Sequence, residues 1–132
     1  AREQGAYKDD PYGELGYLDS ELFRAVRLVV DTGIHHLRWT RQQGIDYMLA
    51  HTASPLESVT SEIERYIVMP GQACSYKIGE IKIVAMREKV LKALGEKFDL
   101  RKFHNVILQN GGMPLSLLEQ VVDSFIQKEL IS

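Results

Sequence analysis

Apolar residues in this chain recur three and four positions apart in stretch after stretch, and nowhere do they alternate with polar ones over the length of a strand. Side chains at that spacing share one face of an α-helix, whereas a half-buried strand needs a period of two. The pattern predicts an all-α fold of about six helices. In the first, Leu22, Phe23, Val26, Val29, Val30, Ile34 and Leu37 carry the stripe from Ser20 to about Trp39. Gly33 sits inside it, where it weakens the helix by about 1 kcal/mol relative to Ala unless packing or a ligand needs the space.

Start and stop signals divide the rest. Thr40 with Gln43 forms a capping box that opens a short helix to about His51. Ser54, Pro55 and Glu57 repeat the signal for a third helix ending near Val68, ahead of Pro70. A long helix follows from about Gly71 to Leu94, stopped by Gly95. Asp99 caps a fifth that ends by Gly111 and Gly112, and Ser116 with Glu119 boxes the last. Residues 1–19, with Asp9-Asp10-Pro11 and glycines at 13 and 16, read as a loop, and residues 20–132 as one helical region.

An apolar fraction of 45% is enough for a core, and a formal net charge of −2 gives no field to collect phosphate backbones. Nucleic acid is therefore excluded as a first choice, and with it a helix-turn-helix built on the turn at 39–41. The longest apolar runs, such as Leu28 to Val30 and Ile83 to Met86, fall far short of the roughly 20 residues a membrane span needs. Cys74 is the single cysteine, so no internal disulfide forms; a buried structural thiol is expected. His51 and His104 are expected at the surface.

Two clusters carry side chains with chemistry. Asp31 and His35 are four apart, so the carboxylate can fix the imidazole's tautomer, and Arg27 lies one turn earlier on the same face. That row suits a substrate carboxylate or carbonyl, and it equally suits an internal salt bridge. His36 lies about 100° around the helix from His35, so the pair is a poor metal site. The second cluster is Tyr66, Pro70, Gly71, Gln72, Tyr76 and Lys77. A tyrosine hydroxyl near a helix start can donate to an oxyanion, although tyrosines at the edge of a core and a Pro-Gly turn would give the same residues. No HExxH, phosphate-cradling glycine loop or CxxC pair is present, so no complete catalytic kit and no metal site can be assembled from the chain.

Several long ordered stretches resemble a known family. YGELGYL at 12–18, RAVRLVVDTGIH at 24–35, TRQQGIDYM at 40–48, RYIVMPGQACSYKIG at 65–79, FDLRKFH at 98–104 and MPLSLLE at 113–119 look like the C-terminal part of domain-of-unknown-function family 885. That family is longer, mostly helical and similar to gluzincin-type zinc peptidases such as the carboxypeptidase Taq and thimet oligopeptidase groups. The resemblance implies a zinc held upstream of Ala1 by an HExxPGHH-like helix and a later glutamate in an EGWALY-like helix. This chain is then expected to be a C-terminal helical subdomain of a zincin-like enzyme, inactive alone.

Carried onto matching positions, the resemblance gives Tyr76 and His35 work in the intact enzyme as hydrogen-bond donors to the developing oxyanion. Arg27, Asp31, Tyr66 and Gln72 become substrate-side residues. No cofactor is expected in this chain, and zinc is expected in the full-length protein. The expected partners are the N-terminal part of its own chain, a peptide-like substrate and a second copy. The alternative is a non-catalytic helical module that docks onto a partner chain. Cytoplasm and export, as a periplasmic protein or lipoprotein, are both open.

Overall fold

The computed structural model describes residues 2–131, which form six α-helices and, among the described residues, no strand. They are α1 (Pro11–His35), α2 (Arg41–His51), α3 (Leu56–Val68), α4 (Ser75–Leu94), α5 (Leu100–Gln109) and α6 (Leu115–Ile131), with short 3₁₀ turns at Arg2–Gln4, Gln72–Cys74 and Gly95–Lys97. The all-α fold follows the sequence pattern. The helices belong to two compact units, one up to Lys77 and one from Ile78 onward.

The first unit packs α1, α2 and α3 around Val26, Val30, Ile45, Met48, Val59, Ile63, Tyr66 and Ala73. Full burial of one such aliphatic side chain contributes about 1.5–3 kcal/mol, so this cluster holds the three helices together. Lys77 at the start of α4 pairs with Glu21 of α1 at 2.8 Å. In the second unit Met86, Val90, Leu94, Phe103, Leu118, Val122 and Ile126 form the core.

Several boundaries differ from the expected ones. Residues 1–19 are not a loop throughout: α1 begins at Pro11, where the Asp10 carboxylate accepts the Gly13 N–H at 2.8 Å and Pro11 occupies the first turn without wasting a donor. The helix stops at His35 instead of Trp39, because Arg38 turns the chain in the left-handed region at φ +60°. The Trp39 N–H then donates back to the Gly33 carbonyl at 2.9 Å.

Pro55, with no side-chain hydrogen bond, stands at the cap position of α3 in place of Ser54. For α6 the carbonyl of Pro114 accepts the first N–H groups, and Ser116 already lies within the helix. The capping box of Thr40 and Gln43 is complete, and the Asp99 side chain caps α5. The positive φ at Gly95, +52°, matches the expected stop of α4.

Candidate functional site

Four of the six singled-out side chains converge in the first unit. Arg27, on the buried face of α1, is only 7% exposed. Its guanidinium carbon lies 4.5 Å from the Tyr76 ring centroid, 5.5 Å from that of Tyr66 and 5.8 Å from that of Phe23. Its Nη2 is 3.5 Å from Gln72 Oε1, and its buried Nε has no hydrogen-bond partner. Among the described residues Arg27 forms no ion pair; ring faces take the place of a carboxylate, each such contact contributing on the order of 0.5–2 kcal/mol.

The turn between α3 and α4 brings Gln72 and Tyr76 to this arginine. Gly71 adopts φ +78°, which a residue without Cβ reaches freely, and its N–H donates to Asp31 at 3.0 Å from Oδ1 and 3.1 Å from Oδ2. Asp31 is 3% exposed and is satisfied through this contact. Helical spacing led us to expect a pairing of Asp31 with His35, and that pairing is not formed. His35 instead contacts the Tyr66 carbonyl, Nε2 to O at 2.9 Å. A carbonyl only accepts, so Nε2 carries the proton and Nδ1 the lone pair. The tautomer is fixed by backbone, not by the carboxylate. His35 also lies eight residues along α1 from Arg27, a rise of about 12 Å, and is exposed.

Tyr66 and Tyr76 differ in what their hydroxyls can do. The Tyr66 ring is fully buried and its hydroxyl donates to Glu62 Oε2 at 2.5 Å. Burial first, then the hydrogen bond to Glu62 and that carboxylate's charge, push the phenol well above its ordinary range. Tyr66 is therefore a neutral donor already committed. Tyr76 is 49% exposed, and among the described residues its hydroxyl has no hydrogen-bond partner.

Spacing within α3 contains two further members of the site, Glu62 and Arg65, at three- and four-residue separations that signal contact on a helix. Arg65 reaches Glu62 at 2.5 Å and Gln72 Oε1 at 2.7 Å. The Gln72 oxygen is thus shared by two guanidinium groups, which leaves its amide N–H₂ as the free end. Burial raises the Glu62 carboxyl, but the hydrogen bonds from Arg65 and Tyr66 and the charges of Arg65 and Arg27 outweigh it and hold the group below the usual carboxylate value. Cys74 is half-buried, and burial with the charge of Asp31 pushes its thiol up, away from nucleophilic thiolate.

Among the described residues no three of His, Cys, Asp and Glu come together as a metal site requires. Among the described residues no helix is long and apolar enough to cross a membrane. His51 and His104 are exposed, as expected.

The chain is similar to a solved crystal structure of a candidate lipoprotein from Colwellia psychrerythraea, with 50% identity and a TM-score of 0.94. The match covers 96% of this chain and 22% of that one, so the chain spans under a quarter of its longer relative. No curated protein matches it. The family described as "Bacterial protein of unknown function (DUF885)" matches residues 1–122. With most of its length inside that match, the chain belongs to the DUF885 family.

Proposed function

We propose that these helices supply the substrate side of a peptide- or amide-hydrolysing site in a longer protein of this family, with Tyr76 as the donor to the oxygen that becomes negative on the scissile carbonyl. One observation carries the reading: a half-exposed tyrosine hydroxyl without a partner, on a ring held 4.5 Å over a buried guanidinium. A fixed neutral donor of this kind stabilises charge that exists only in the transition state, and it needs no reorganisation to do so.

Arg27 holds the ring in place and, with its unpartnered Nε, favours negative charge nearby. Gln72 offers its amide N–H₂ to the substrate backbone. Asp31 positions Gln72 and Tyr76 through the Gly71 turn. His35 is a positioning residue in this scheme, because its one ring N–H already goes to Tyr66 and its Nδ1 can only accept. Tyr66, committed to Glu62, forms the wall behind.

The zinc that the family resemblance implies does not fit the residues present, which offer no ligand set. Its ligands, in this reading, belong to the remainder of the longer protein.

The test is hydrolysis of a peptide library by the full-length protein. Tyr76→Phe should lower kcat about a hundredfold with little change in KM, as loss of one oxyanion donor does. Unchanged kcat removes Tyr76 from the chemistry, and absence of any hydrolysis by the full-length protein overturns the reading.

One observation favours the alternative of a docking module. Leu15, Leu18, Leu22 and Val29 are all exposed along a single stripe of α1. In that reading the stripe packs against the remainder of the longer protein, and Tyr76→Phe has no effect on any activity.

A further inference from the structure

The end of α1 builds a second feature, which the hydrolytic reading does not use. Trp39 is swung back over α1 by the left-handed Arg38, and its ring covers Gly33 so closely that a Cβ there would stand 2.5 Å from Cε3. The Tyr47 ring of α2 sits 5.3 Å from that of Trp39 at an angle of 47°, and His51 stacks on Tyr47 at 4.1 Å. Trp39, Gln43, Asp46 and Tyr47 line a cleft of about 350 Å³. That is room for a small ligand.

The polar groups at this cleft are few and unspent. Gln43 Oε1 accepts the Thr40 N–H at 2.8 Å, which leaves its amide N–H₂ to donate. Asp46 uses Oδ1 to accept from Gln42 at 2.7 Å. Among the described residues Asp46 Oδ2, the Trp39 indole N–H and the Tyr47 hydroxyl have no hydrogen-bond partner. Arg41 beside the cleft is already paired with Glu64 at 2.6 Å, so Asp46 is the one charged side chain in the lining. Two packed aromatic rings, several unpaired donors and one carboxylate acceptor, with no cation in the lining, suit a neutral ring that is apolar on its faces and hydroxylated at its edge.

We propose that the Trp39–Tyr47 cleft binds a saccharide, one pyranose ring resting its C–H face on the aromatic pair with its hydroxyls on Asp46 and Gln43. Aromatic rings supply contact area at little entropic loss, and the side chains at the rim set orientation. The proposal is independent of the role given to Tyr76.

Trp39 is the only tryptophan in the chain, so its emission reads this cleft alone. Titration with maltotriose, cellotriose and the N-acetylglucosamine trimer should give a saturable change for at least one, with Kd on the order of 1 mM. Asp46→Asn, an exposed change, should weaken it at least tenfold, Tyr47→Ala should abolish it, and Tyr76→Phe should leave it unchanged. No saturable response to any of the three sugars overturns the proposal. So does an unaltered Kd in Asp46→Asn, or saturable binding of N-acetyl-arginine amide in place of the sugars.

Discussion

Gly33→Ala is a sharp test of the packing at the end of α1, because two effects of known sign oppose each other there. In a helix interior the change from Gly to Ala is favourable by about 1 kcal/mol. At Gly33, however, the new Cβ would stand 2.5 Å from Trp39 Cε3, 2.6 Å from Cδ2 and 2.9 Å from Cζ3. A rigid indole cannot yield by rotating a terminal atom; the whole ring must move, and overpacking of this kind costs about 1–3 kcal/mol. The net expectation is a loss of about 1 kcal/mol.

Gly16, in the same helix, provides the control: among the described residues nothing lies within 4 Å of a Cβ built there. Gly16→Ala should therefore stabilise by about 1 kcal/mol, so the two identical substitutions differ by about 2 kcal/mol, roughly thirtyfold in the folded-to-unfolded ratio. Urea denaturation followed by Trp39 emission reports both, and Gly33→Ala should also shift the native emission as the indole is displaced. If Gly33→Ala raises the midpoint as much as Gly16→Ala does, the ring does not rest on Gly33 as described.

Two further outcomes follow from the site and its surroundings. Glu62 is held below its ordinary value of 4.5, so its stabilising contribution is present above that pH and is lost as pH falls through the lower folded value. Tyr66 is raised above 10.0, so its contribution is present below that pH and is lost as pH rises beyond it. The urea midpoint should fall at both extremes, and Glu62→Gln should flatten the acid limb; an unchanged acid limb would refute the pairing. Arg38→Gly should stabilise by about 1 kcal/mol, since only glycine enters the left-handed region without a Cβ penalty, and a lower urea midpoint would contradict that account.

What the sequence made legible divides along physical lines. Local signals were sufficient where partners are two to four residues apart: the Thr40–Gln43 box, the Asp99 cap and the left-handed Gly95 that stops α4 are each readable within one turn. Asp10 and Pro11 carry an equally local helix start, but Gly13 and Gly16 favoured a loop reading, and α1 absorbs both glycines.

The candidate site was legible as a set of residues and not as a set of contacts. Arg27, Tyr66, Gln72 and Tyr76 do meet, while Asp31 finds a backbone N–H forty residues away in place of the histidine four residues away. Helical spacing says which side chains share a face, but not what the facing element presents to them. A turn that offers a bare N–H, and a carbonyl that claims the imidazole, are tertiary facts with no periodicity to announce them.

The grip of Asp31 on the Gly71 amide bears on how mutational data should be read. Gln72 and Tyr76 follow that amide by one and five residues, so their placement depends on a carboxylate that touches neither. An Asp31 variant with no turnover would resemble the loss of a proton carrier, yet its actual defect would be a slack hinge upstream of the groups proposed to meet the substrate.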